Sequence, residues 1–247
     1  YWGLSSVAAI AVAPPHAVWI NQHGARRWIT ISCGALNVLM GIIAVALPED
    51  RIETQLDLPL PSIRPALVEW RVLVLSLTLF LYSFGYGAIT SFSAMYADAL
   101  GISPKSIYLT LLAAVILLTR PLSGPLADRI GYRRVFMPCL VLIAAGLALM
   151  ASASGLSAFI ASAIVFGVGF GTAYPVFVAY VMRDVSAARR GAAFGAILAA
   201  FDTGIGTGST TVGWLIEHVG FSSAFGVAAA LSALALPYFV VADRRLR

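Results

Sequence analysis

Runs of about twenty apolar residues recur along this chain between short charged breaks, and no other feature limits its fold as tightly. In hydrocarbon a backbone must satisfy its own hydrogen bonds, so runs of that length read as transmembrane helices. Eight such spans are expected, at 1–20, 28–47, 72–96, 106–126, 135–152, 157–181, 192–216 and 221–241. The expected fold is therefore all-α, a polytopic transmembrane helix bundle of about eight spans. Composition agrees: the 247 residues are 60% hydrophobic and 11% charged, with a mean hydropathy of +0.90, which excludes an ordinary soluble domain. The net charge of +5 then reads as cytoplasmic loops and not as a nucleic-acid surface, because no nucleic-acid-binding motif accompanies it. Cys33 and Cys139 sit inside apolar runs without metal or disulfide spacing and read as small core residues. No cofactor or metal is expected.

Only 48–70 has the composition of a linker, with Glu49, Asp50, Arg51, Glu53, Asp57 and Arg64 among Pro59, Pro61 and Pro65. It divides two spans from six. Placing the C-terminus in the cytoplasm puts twelve arginines inside, including Arg71, Arg129, Arg133, Arg134, Arg183 and Arg244, against Arg26, Arg27 and Lys105 outside. That asymmetry sets the orientation, with the linker and both chain ends cytoplasmic. Because the chain opens at Tyr1 within an apolar run, without Met or a basic leader, no signal peptide is expected there. Its first spans are expected to pack on upstream spans of the same protein.

One break stands out: Gly124-Pro125-Leu126-Ala127-Asp128-Arg129-Ile130-Gly131-Tyr132-Arg133-Arg134. It reads as a tight charged turn between two spans. Gly124 suits close helix approach, and Gly131 a backbone reversal. Asp128 falls at the C-terminal end of its helix, where the macrodipole disfavours an anion, so a partner is expected among Arg129, Arg133 or another helix's N-terminus. The pattern Gly-x-x-x-Asp-Arg-x-Gly-x-Arg-Arg between two spans resembles the cytoplasmic loop signature of the major facilitator superfamily, with Tyr132 where the fullest form has a basic residue. Arg190-Gly-Ala-Ala-Phe-Gly195 and Phe201-Asp-Thr-Gly-Ile-Gly206 are similar to the penultimate span of sugar and drug effluxers in that superfamily. Ala13-Pro-Pro-His-Ala-Val18 keeps the prolines of an exporter motif without its glycines, which leaves the direction of transport open.

The resemblance implies spans five to twelve of a twelve-span transporter. In that layout 1–47 are the last two spans of a truncated N-terminal half-bundle, 48–70 a cytoplasmic linker and 71–247 a six-span C-terminal half-bundle. It implies a multi-pass protein of the cell's inner (plasma) membrane and not an enzyme. Such a protein moves a small organic solute by alternating access, proton-coupled, with efflux favoured slightly over uptake. Its partners are the lipid bilayer, a small-molecule substrate, the proton and the missing N-terminal spans. Gly124, Asp128, Arg129, Gly131, Arg133 and Arg134 become a cytoplasmic latch. The alternative is a non-transporting membrane protein, a sensor or an intramembrane enzyme; no Ser, His and acid gather in a nucleophile motif to support the latter.

A repeat supports the layout. Asn21-x-x-Gly24, Asp128-x-x-Gly131 and Glu217-x-x-Gly220 each close one span and open the next, implying units of three spans that alternate in orientation. The same pattern is also an ordinary helix stop signal.

Among candidate cavity residues, Asp202 lies ten positions into its span, where an ionisable group is costly. Two roles fit: a proton or cation site, or a contact with a neighbouring helix. Its side chain is expected between its own span and the span of Tyr86. Arg120, two turns before Asp128, fits either substrate binding or snorkelling to headgroups. Tyr82, Tyr86 and Thr90 give one span a polar-aromatic stretch that suits either a cavity lining or ordinary core aromatics. Tyr174 precedes Pro175, a kink site facing a cavity or a purely structural one. Gly167-x-Gly-x-Gly171 lies inside an apolar span with no preceding strand and reads as helix packing, not a nucleotide loop. His16, His23 and His218 show no metal pattern.

Overall fold

The computed structural model describes residues 70–186 and 189–246, and, in a separate compact unit, Ile31, Ala35, Val38 and Leu39, all helical. The expected spans at 1–20 and 28–47 and the linker therefore lie outside the described residues, apart from those four positions and Trp70.

The described residues of the larger unit form five helices: α1 (Trp70–Ala99), α2 (Ile107–Ile130), α3 (Tyr132–Ala151), α4 (Leu156–Met182) and α5 (Arg190–Leu246). All five are long and apolar enough to cross a membrane. Within α5 only Gly220 leaves helical geometry, with φ 82° and ψ 170°. Only glycine adopts that conformation without strain, so α5 is two rods, 190–219 and 221–246. The stretches read as six spans after the linker lie within these helical rods.

The eleven-residue turn is corrected to a single residue. Helix α2 continues through Pro121 and Pro125 to Ile130, and α3 starts at Tyr132, leaving only Gly131 between them, at φ 101° and ψ 135°. Its amide still donates to the Ala127 carbonyl at 2.9 Å, so the helical ladder runs to the reversal itself. The charges looked like a loop because they cluster at a helix junction, not because the backbone is irregular there.

Two parallel helix pairs organise the unit. The first is α1 with the 190–219 rod. Ser83 Oγ donates to the Phe201 carbonyl at 3.0 Å and Ser91 Oγ to Ser209 Oγ at 2.9 Å, both 118 residues apart. A constant offset means the helices run in the same direction. Gly204 and Gly208 bring the α5 backbone against Phe80 and Phe84, where a Cβ would collide. The second pair is α2 with α4: Tyr108 and Ser162 share a hydrogen bond at 2.9 Å, and Gly167 and Gly171 pack on Val115, Ile116 and Thr119. Helix α3 lies against α4 and against the last rod of α5. If rods one to three are exchanged for rods four to six, the pair of first and fifth becomes the pair of fourth and second. That is the packing an inverted three-span repeat requires, and its glycine hinges, Gly131 and Gly220, occupy equivalent junctions.

Buried aromatic rings fill the centre. Tyr82, Phe136 and Phe170 meet edge to face, and Phe136 packs on Phe177 and Phe239. Cys139 is buried beside them, its thiol donating to the Val135 carbonyl at 3.1 Å.

Candidate functional site: a polar face and a charged cluster at the rod ends

Arg120 of α2, Tyr174 of α4 and Asp202 of α5 come together on one face of the bundle. Tyr174 is within electrostatic reach of both Arg120 and Asp202, and Tyr86 of α1 is within reach of Arg120. A cavity of about 470 Å3 opens here, lined by Arg120, Tyr174, Pro175, Val178, Ala179 and Phe194. Tyr174 and Phe194 are its aromatic lining, and behind Tyr174 lies a cluster of three further rings. Tyr86 stacks on Phe170 with centroids 4.2 Å apart, and Phe201 touches Tyr86, Phe170 and Tyr174. Pro175 sits inside α4 without ending it.

Asp202 is exposed on this face, toward Tyr174, and not in the seam between α5 and α1 where it was expected. Gly204, Gly208 and Ser83 close that seam too tightly for a carboxylate. Tyr82 also differs: it is fully buried in the core behind Phe170, with no hydrogen-bond partner for its hydroxyl among the described residues. Thr90 is exposed, but its hydroxyl is turned back onto the Tyr86 and Gly87 carbonyls at 3.0 and 3.2 Å. Phe170, Phe194 and Phe201 were not anticipated, because single phenylalanines inside apolar runs carry no signal.

A second cluster joins the ends of the rods around the Gly131 junction. Asp128 accepts a hydrogen bond from the Tyr132 hydroxyl at 2.5 Å. The residue that departs from the motif thus holds the carboxylate, where an arginine or a helix N-terminus was expected. It can do so because only Gly131 separates the two helices. Arg133 is engaged elsewhere, its Nε 3.2 Å from Asp243 at the end of α5, and the Tyr180 hydroxyl donates to the same carboxylate. The Arg133 contact is an ion pair without hydrogen-bond alignment. Asp243 is only 1% exposed. Gly124, expected at a close helix contact, meets nothing within 4 Å among the described residues, and Arg129 and Arg134 are exposed.

Beside this cluster, Arg71 at the start of α1 binds Asp184, after α4, at 2.9 Å. Partial burial opposes ionisation of Asp184, but the hydrogen bond and charge of Arg71, with those of Arg183, outweigh it and hold the carboxyl below its ordinary range. Asp243 and Tyr180 were missed by sequence reading. The signal was one acid closing an apolar rod just before Arg244 and Arg245. At the opposite end Lys105 pairs with Asp98 at 2.8 Å.

Membrane-length rods in two triples, with ionisable groups gathered on one face, define a multi-pass helical membrane protein. The chain belongs to the Major Facilitator Superfamily, whose family model matches residues 75–247. It is 26% identical over 234 residues to the uncharacterized MFS-type transporter YhhS of Salmonella paratyphi C, covering 95% of this chain and 56% of that protein. To YhhS of Escherichia coli K12 it is 26% identical over 238 residues, with the same coverages. To an uncharacterized MFS-type transporter of Pseudomonas aeruginosa LESB58 it is 30% identical over 219 residues, covering 87% of this chain and 53% of the relative. The chain spans about half the length of these curated relatives.

Proposed function

We propose that the protein is a secondary active transporter of the cell's inner membrane, moving a small organic solute by alternating access, coupled to protons and favouring export. The observation that carries this reading is the convergence of Arg120, Tyr174 and Asp202, from three helices, on one face beside an aromatic wall. Ionisable groups at membrane depth are costly and mark solute or ion pathways by default. In folds of inverted repeats the solute site lies near the midplane, where such groups meet. Asp202 is the proton-coupling acid in this reading, with Arg120, Tyr174 and Tyr86 binding solute and Thr90 at the edge of the path.

Residues 71–247 act as the six-span C-terminal half-bundle, 48–70 as a cytoplasmic linker and 1–47 as two spans of the other half. Gly124, Asp128, Arg129, Gly131, Arg133 and Arg134 form the cytoplasmic latch; the hydrogen bond of Tyr132 to Asp128 and the ion pair of Arg133 with Asp243 support that role. The test is transport by the full-length parent in proteoliposomes, with and without a pH gradient. Asp202→Asn is expected to abolish uphill, pH-driven movement while leaving downhill exchange. Uphill transport that survives the change makes Asp202 a packing residue and places coupling elsewhere.

A further inference from the structure

Helix α3 and the last rod of α5 leave a groove between them, sharing no lining residue with the polar face. One stretch, of about 420 Å3, is walled by Leu140, Ala144, Ala148, Ala229 and Ala233, among others. The next, of about 650 Å3, is walled by Met137, Pro138 and Val240 and reaches Arg134. Val141 and Leu236 line both, so the two stretches are one furrow. Behind it Phe136 and Phe239 pack edge to face, 4.8 Å between centroids. From Arg134 to Ala148 the furrow runs ~21 Å along α3 by the helical rise, against ~15 Å for half of a bilayer's hydrocarbon core. That length takes an acyl chain through one leaflet and up to the headgroup level.

The cytoplasmic mouth is cationic. Arg134 lines it directly, and Arg244 lies one turn beyond Val240 on the stripe 236, 240, 244. Both side chains are exposed, and neither forms an ion pair among the described residues, whereas neighbouring Arg133 is engaged with Asp243. A long apolar furrow ending in two uncompensated arginines is complementary to one kind of membrane molecule, an anionic headgroup on an extended hydrocarbon chain.

We infer that this groove is a binding site for an anionic phospholipid of the cytoplasm-facing leaflet. One acyl chain lies between α3 and the last rod of α5, and Arg134 and Arg244 hold the phosphate. A free phosphate has no use for the furrow, and a zwitterionic lipid gains little from the arginines. Each arginine is expected to favour the anionic lipid about five-fold, so the pair favours it about twenty- to thirty-fold.

The test is competition between phosphatidylglycerol and phosphatidylcholine of identical acyl chains for the full chain, read as retained lipid by native mass spectrometry. The wild type is expected to retain phosphatidylglycerol with that preference. Arg134→Gln with Arg244→Gln should erase the preference while leaving phosphatidylcholine retention unchanged, and both substitutions are at exposed positions that leave folding intact. Ala144→Leu with Ala233→Leu, which fills the furrow and keeps both arginines, should reduce retention of both lipids; its melting temperature in phosphatidylcholine nanodiscs checks that it is folded. Four results would overturn the proposal. They are equal retention of the two lipids by the wild type, a preference that survives loss of both arginines, displacement by inorganic phosphate, and a lipid-independent dimer that the filled furrow abolishes.

Discussion

Burying a carboxylate at a helix end is tolerable only when cations and hydroxyls reach it, and Asp243 has Arg133 and Tyr180 against it. Arg133 is 30% exposed and Asp243 keeps the Tyr180 hydroxyl, so Arg133→Ala and Asp243→Ala should each cost about 1–3 kcal/mol, less than for a fully buried pair, and the double variant clearly less than their sum. A double-mutant cycle by denaturant unfolding in detergent checks this; additive costs would mean the two charges are not coupled. Asp184 behaves differently because it and Arg71 are each about a third exposed, at 35% and 33%, which limits the pair to about 0–1 kcal/mol. Its carboxyl sits below the ordinary value of 3.8, so its contribution is complete above that pH and fades as pH falls through the depressed value. The stability gap between wild type and Asp184→Asn should therefore be constant near neutrality and close below about pH 4. A gap that widens on acidification contradicts the sign. At this scale the sequence was uneven: Asp202 stood out because nothing charged surrounds it, whereas Asp243 merged into a charged tail and only tertiary packing reveals its burial.

At the scale of elements, the two hinges were legible and the turn around one of them was not. Both Asp128-x-x-Gly131 and Glu217-x-x-Gly220 marked junctions, and both glycines take positive φ. The charges after Gly124 suggested a loop, yet the α2 ladder continues to Gly131 because a helix emerging from hydrocarbon keeps its hydrogen bonds whatever side chains it carries. Gly220→Ala should lower stability by about 1–2 kcal/mol, since an L side chain resists that backbone. Gly206→Ala, inside a helix and facing open space, should instead be neutral or stabilising by about 0.5–1 kcal/mol. Thermal melts of the two variants side by side check the contrast; equal effects would mean the Gly220 geometry is not required.

For the whole molecule, the all-helical fold and the places of its membrane-length rods followed from apolar run length, but the faces of those rods did not. A helix packed against protein on one side and lipid on the other is apolar all round, so hydrophobic periodicity cannot separate Tyr82 in the core from Tyr86 on the open face. The assembly of Arg120, Tyr174 and Asp202 needed three dimensions because those residues lie on three helices far apart in the chain. Alternating access requires that face to be reached from the two sides of the membrane in turn. Position 206, one turn beyond Asp202 and facing open space, reports on it directly. In the full-length parent, with Cys33 and Cys139 replaced, Gly206→Cys is labelled with a membrane-impermeant thiol reagent from each side of sealed vesicles, under pH gradients of both directions. Labelling from both sides, with the ratio shifting as the gradient is reversed, is the expected result, while Leu234→Cys on a lipid-facing rod stays unlabelled. A cysteine at 206 that reacts from neither side, or from one side whatever the gradient, contradicts alternating access along this face.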